Sequence, residues 1–334
     1  MGQGAYILGC KGLTLSAAEA AFFAKTQPWG FILFARNVDN PDQLRALTSA
    51  LRDSVGRDAL ILIDQEGGRV QRLREPHWRQ WGAPLDQVAG AGDNAARAMW
   101  LRYRIIADEL RRVGIDANCA PQADIAFAAT HPFLRNRCYG QDVATVTKIA
   151  RAVGDGLLAG GVLPVLKHIP GHGRSIVDSH QDLPRVDTDL ATLEQSDFAP
   201  FHALADLPLA MTAHLVYSAI DSKVATMSER MIGLIRQQIG FDGLLMCDDI
   251  SMGALSGSMT QKCAGALSAG CDVILHCNGD LEEMHEVADV AAMMGPQAQA
   301  RATAAMSARK QPEPIDISAA EAEFQALSQG CAIV

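Results

Sequence analysis

The stretch GVLPVLKHIPGHGRSIVDSHQDLPRVD (161–187) opens on an apolar run, reaches the charged pair Lys167 and His168, and passes into a loop rich in glycine and proline. A continuous apolar run of this length, with no polar alternation, is what a strand covered on both faces looks like. The pattern of GVLPVLKH (161–168) recurs seven times, in AYILGC (5–10), GFILFA (30–35), ALILID (59–64), GIDANCAP (114–121), LPLAMTAH (207–214), GLLMCDD (243–249) and CDVILHC (271–277). Between the runs lie segments with helical spacing, such as NAARAMWLRYRIIADELRRV (94–113) and SERMIGLIRQQI (228–239). The second begins at Ser228, a good N-cap, and stops before Gly240, a good C′ residue. Strands alternating with helices imply a parallel sheet. Eight such units in about 300 residues predict an α/β fold, a (β/α)8 TIM-type barrel in a single domain. A doubly wound sheet would need a glycine-rich phosphate turn after its first strand, and Gly9, Cys10, Lys11 and Gly12 do not make one.

The barrel is expected over residues 1–295. Residues 296–334 differ: QAQARATAAMSARKQPEPID (297–316) is alanine-rich and polar and runs into two prolines, which predicts a helix followed by an extended tail. The chain has 334 residues, 49% hydrophobic and 20% charged, an ordinary globular composition. A net charge of −9 argues against a nucleic-acid partner, which would want a basic face. No run of eighteen apolar residues is present to span a membrane, and MGQGAYILGCKGLTLS (1–16) lacks the basic start of a signal peptide. Eight scattered cysteines without a CxxC pair read as reduced thiols. A cytoplasmic location is therefore expected, and a monomer, since no surplus apolar segment stands out.

In such a barrel the chemistry projects from the C-terminal ends of the strands. Here those ends are polar: Asp64, Gln65 and Glu66 after the third run, Gln122 and Asp124 after the fourth, Lys167 and His168, then His214, then Asp248 and Asp249. One polar strand end is commonly just solvated; five converging on one rim suggest a site. The loop after His168 is long for a βα connection, which usually marks function. It carries Asp178 two residues before His180, so a carboxylate there can orient an imidazole and raise its basicity for proton transfer. Read blandly, the same pair is an Asp turn with a stray histidine.

KHIPGHG (167–173), DSH (178–180), DQEGGRVQR (64–72), ARN (35–37) and CDDISM (247–252), in this order and spacing, resemble family 3 glycoside hydrolases. More specifically, they resemble the single-domain bacterial β-N-acetylglucosaminidases of cell-wall recycling. The resemblance covers residues 5 to about 290. It implies a retaining exo-glycosidase with Asp248 as nucleophile, His180 assisted by Asp178 as the acid/base, and Asp64, Arg137, Lys167 and His168 gripping the sugar. His214, delivered to the same rim, is counted with these contacts. Arg137 stands in RCYG (137–140), where the family has RSFG. The implied substrate is a saccharide or muropeptide, with no cofactor and no metal. Retaining hydrolysis needs a carboxylate to attack the anomeric carbon and a donor for the leaving oxygen. A histidine donor adds no second negative charge near Asp248, so it does not push that nucleophile toward protonation.

Two other readings compete. A metal-dependent barrel hydrolase would use His168, His172, Asp178, His180 and His214 as ligands. Against it, the early strands carry no His-x-His pair, and Gly171 and Gly173 around His172 suggest a backbone turn. A non-catalytic sugar-binding protein would keep Asp64, Arg137, Lys167 and His168, with no need for Asp178, His180 and Asp248 together.

Overall fold

The computed structural model describes residues 2–177 and 183–328, and each of the eight apolar runs overlaps a strand. They are β1 (Gly4–Gly9), β2 (Pro28–Leu33), β3 (Leu60–Ile63), β4 (Ala117–Asn118), β5 (Leu163–Ile169), β6 (Leu209–Thr212), β7 (Leu244–Met246) and β8 (Ile274–His276). All pair in parallel, in the order β7-β6-β5-β4-β3-β2-β1-β8. A parallel bridge from Met246 to Val273 joins the two ends, so the sheet curls into the expected barrel. Every residue of β3 is wholly buried, because one face fills the barrel and the other lies under helices. That is why these strands read as unbroken apolar runs.

The strand β4 is the shortest, with only Ala117 and Asn118 in register with both neighbours. On one side of it the carboxylate of Asp116 accepts from the Ile61 amide at 2.8 Å, replacing a ladder bond. On the other, Ala123 N donates to Lys167 O at 2.8 Å beyond Pro121, which has no N–H to give. Helix starts follow local chemistry. Ser16 and Glu19 form a capping box, and Asn40 caps a helix whose first residue is Pro41. The helix Glu229–Gln237 begins at Ser228, whose Oγ accepts from Met231 N at 3.0 Å, and Gly240 sits at φ +80° just beyond its end.

The C-terminal region departs from the expected helix and tail. A helix runs over Pro296–Ala308, but the residues after it form a strap and then a second helix, Ile317–Leu327. In the strap, Arg309 pairs with Asp58 and Asp116, and Glu313 N donates to Ala159 O at 2.8 Å. The second helix packs on the helix Ala95–Arg112, and Phe324, fully buried, meets the edge of Trp81 with ring centroids 5.4 Å apart. The sequence signal was weak because Phe324 is the one large side chain this helix buries fully, and the ion pairs of Glu321 with Arg79 and Glu323 with Arg97 that complete its attachment join residues far apart in the chain.

Candidate active site

After β3 the chain passes through Asp64 into a short antiparallel hairpin, Gln65–Gly67 against Val70–Gln71. Gly67 and Gly68 both take positive φ, and a Cβ on Gly67 would run into the guanidinium of Arg102. The buried amide of Gln65 accepts from the backbone N–H of Arg72 and of Leu73, each at 3.0 Å. This pins the hairpin so that the Arg72 side chain folds back onto Asp64 Oδ2 at 3.0 Å. ARN (35–37) plays a bracing part: Asn37 Nδ2 donates to the carbonyls of Cys10 and Gly12, and Arg36 ties the same loop to Cys277.

Above the barrel lies a cavity of about 350 Å³ whose lining includes Asp64, Arg72, Arg137, Lys167, His168, His172, Asp248 and Asp249. Phe34, Phe133, Met211 and Met252 add apolar wall. Five of the expected residues, Asp64, Arg137, Lys167, His168 and Asp248, thus meet in one place from β3, β5, β7 and the loop after β4.

Beneath them is a buried ionic lattice. Lys167 Nζ lies 2.9 Å from Asp64 Oδ1 and 2.6 Å from Glu66 Oε1. Arg137 grips Glu66 with Nε and Nη2, both at 2.9 Å, and Gln122 Nε2 donates to the same carboxylate at 2.6 Å. Burial alone would raise the Glu66 pKa, but Arg137 and then Lys167 reverse this and bring it down to about 2. Asp64 behaves likewise, its burial outweighed by Lys167 and Arg72. Lys167 is held above the usual lysine range, the two carboxylates overriding its desolvation.

A second buried carboxylate, Asp124, accepts from His168 Nδ1 at 2.7 Å and from the His172 amide at 2.6 Å. His172 is buried edge-on to His168, and burial, then His168, pushes its pKa down to about 3. Neither of its ring nitrogens has a hydrogen bond among the described residues.

Asp248 and its neighbour Asp249 divide two tasks. Asp249 accepts from Ser251 Oγ at 2.8 Å and from the Cys277 amide at 3.2 Å, which ties down the turn. Asp248 Oδ1 accepts from the Asp249 amide at 2.8 Å, and its other oxygen has no hydrogen bond among the described residues. Burial would raise its pKa, yet His168, His214 and the Asp249 amide hold it below the usual carboxylate range. At neutral pH it is therefore an ionised carboxylate facing the cavity.

His214 departs from the expected sugar contact. It is fully buried and absent from the cavity lining. Its Nδ1 pairs with Thr226 Oγ1 at 2.8 Å and its Nε2 lies 3.1 Å from the Asp249 carbonyl, so both nitrogens are engaged within the protein and Nε2 braces the turn that presents Asp248. Asp178 and His180 lie outside the described residues. Among the described residues no group of three or more His, Cys, Asp or Glu could hold a metal ion. Sequence reasoning gave no role to Arg72, Glu66 or Asp124. Each was visible as a polar residue in a motif or at a strand end; the partners of Glu66 and Asp124 lie far away in the chain, and Arg72 meets Asp64 only because the hairpin between them folds back.

The profile of the glycosyl hydrolase family 3 N-terminal domain spans residues 7–307. The chain belongs to this family and is a glycoside hydrolase. It is similar to the β-hexosaminidase of Alkalilimnicola ehrlichii, 37% identical over 283 residues, covering 82% of this chain and 81% of the relative. A β-hexosaminidase of Chromobacterium violaceum is also 37% identical, over 83% of this chain and 79% of its own. Among solved structures, NagZ from Neisseria gonorrhoeae in complex with N-trifluoroacetyl-D-glucosamine superposes with a TM-score of 0.85 at 29% identity, covering 99% of this chain and 98% of that one.

Proposed function

We propose that the chain is a retaining exo-β-N-acetylglucosaminidase that removes terminal non-reducing N-acetylglucosamine through a covalent glycosyl-enzyme on Asp248. The observation that carries this reading is the ionised Asp248 carboxylate with one oxygen open to the cavity, while the neighbouring Asp64, Glu66 and Asp249 are engaged. The β-hexosaminidase relatives and the neighbour bound to an N-acylglucosamine supply the sugar class. A cavity of about 350 Å³ suits one terminal sugar better than a polymer lying across the rim.

In this mechanism Asp248 attacks the anomeric carbon while His180, oriented by Asp178, protonates the leaving oxygen. The same histidine then takes a proton from the water that hydrolyses the intermediate, so two inversions give net retention. Asp64, Arg72, Arg137, Lys167 and His168 bind and orient the ring. Their geometry is fixed before substrate arrives by the Glu66 lattice, which limits the ordering left to be done on binding. On the same reading the natural substrate is a cell-wall muropeptide and the enzyme works in the cytoplasm as a monomer. No helix among the described residues is long and apolar enough to cross a membrane.

The test is hydrolysis of an aryl β-N-acetylglucosaminide beside the aryl glucoside, with the product anomer followed by proton NMR. The β anomer of N-acetylglucosamine should appear first, Asp248→Ala should be inactive, and His180→Ala should lose about 10²–10⁴-fold, the usual worth of a general acid. Full activity in Asp248→Ala, or an α anomer first, would overturn the reading. Zinc-restored activity after chelation would favour a metalloenzyme.

A further inference from the structure

We propose that Asp124 is a positioning residue that fixes the proton of His168 on Nδ1 and turns the Nε2 lone pair toward the bound sugar as a hydrogen-bond acceptor. Asp124 is fully buried and accepts from His168 Nδ1 at 2.7 Å, from the His172 amide at 2.6 Å and, at the longer distance of 3.4 Å, from the His168 amide. An ionised carboxylate can only accept, so its partner nitrogen must carry the hydrogen. Asp124 stays ionised despite its burial because His168, and then His172, favour the anion. His168 lines the cavity, and its Nε2 has no protein partner among the described residues.

The composition of the wall makes this acceptor count. Arg72, Arg137 and Lys167 can only donate. Asp64 is already shared by Lys167 and Arg72, and the proposed chemistry needs Asp248 at the anomeric carbon. Sugar hydroxyls both donate and accept, so in a wall this rich in donors each further acceptor counts. In its neutral form, His168 Nε2 supplies an acceptor without adding a negative charge beside Asp248.

The substitution Asp124→Asn keeps the shape and reverses the logic. The His172 amide must still meet an acceptor, which directs the Asn carbonyl to it and the NH₂ toward His168. Nδ1 then has to accept and the ring proton moves to Nε2, the same kind of tautomer error that disables a catalytic triad when its Asp becomes Asn.

Selective ¹⁵N-histidine labelling reads this directly. In the wild-type protein at a pH where the ring is neutral, the His168 resonances should report a protonated Nδ1, and N-acetylglucosamine should shift the Nε2 signal. In Asp124→Asn the proton should appear on Nε2. With an aryl β-N-acetylglucosaminide, KM should rise about tenfold with kcat nearly unchanged, the mark of a lost uniform binding contact. In a His168→Ala background the same Asn substitution should change KM less than about twofold. A wild-type proton on Nε2, an Nε2 signal untouched by saturating sugar, or equal KM changes in both backgrounds would overturn the proposal. The wild-type spectrum decides even if the variant fails to fold. The inference rests on the cavity holding the terminal sugar. A wild-type enzyme inert on the arylglycoside would defeat that reading, while the ring proton on Nδ1 would still be scored on its own.

Discussion

Replacing Glu66 by glutamine tests the buried lattice most sharply, since the change removes one charge and almost no volume. In the native site the carboxylate receives two bonds from Arg137 at 2.9 Å, one from Lys167 at 2.6 Å and one from Gln122 at 2.6 Å. The glutamine amide can accept on one atom only, and its NH₂ would face a cation that also donates. Removing one partner of a buried ion pair generally costs about 3–5 kcal/mol, because the remaining charge is stranded. Lys167 keeps Asp64 at 2.9 Å, so the cost should fall at the lower end, near 3 kcal/mol. Urea denaturation at pH 7 should show this loss, and the arylglycoside KM should rise as Arg137 and Lys167 lose their register. The sign with pH is fixed as well. The folded pKa of Glu66, about 2, lies below the unfolded value near 4.3, so its stabilisation is present above pH ~4.3 and fades as pH falls toward 2. The gap between wild type and Glu66→Gln should therefore close in that window. A variant within about 1 kcal/mol of wild type at pH 7 with unchanged KM would refute the reasoning.

Other substitutions separate bracing from binding. His214→Ala should lower stability by about 2–3 kcal/mol, from two lost hydrogen bonds and a small cavity, and reduce kcat through the turn carrying Asp248; a rise in KM alone would return His214 to the sugar. His168→Ala should instead raise KM with kcat little changed, and should also cost about 3 kcal/mol of stability by stranding the buried Asp124 carboxylate. Because Asp248 is held below the usual carboxylate range, the acid limb of kcat/KM should fall below pH ~4; a limb above pH 5 that Asp248 substitutions shift would contradict its environment. Phe324→Ala should cost about 3–5 kcal/mol by emptying the space against Trp81, and a loss under 1 kcal/mol would show the last helix to be dispensable.

The barrel was legible because each strand is buried on both faces, which leaves an apolar run that needs no partner to be recognised. Its polar ends were legible for the complementary reason, a charge at the end of an apolar run having only the rim to go to. What the order of residues could not disclose was which rim residue faces inward. His168 and His214 look equivalent at the ends of β5 and β6, yet one opens to the cavity and the other turns beneath Asp249, because Thr226 lies within reach of its ring. Glu66 and Asp124 were hidden for the same reason. Their partners are 101 and 44 residues away, and nothing local says that Lys167 or His168 will arrive beside them. The helix Ile317–Leu327 escaped notice because Phe324 is the one large side chain it buries fully and its ion pairs reach residues far away in the chain.

The way the ring is joined also bears on how the chain acquires its shape. Tyr6 in β1 pairs with Ile274 in β8, and Arg309 reaches back to Asp58, so the first elements to be synthesised find their partners among the last. A nascent chain halted before residue 270 would carry β1 and β7 as two bare, apolar edges, the kind of surface that recruits chaperones or other chains. Commitment to the native state must then be a late event, and such an enzyme should release from the ribosome before it can bind its sugar.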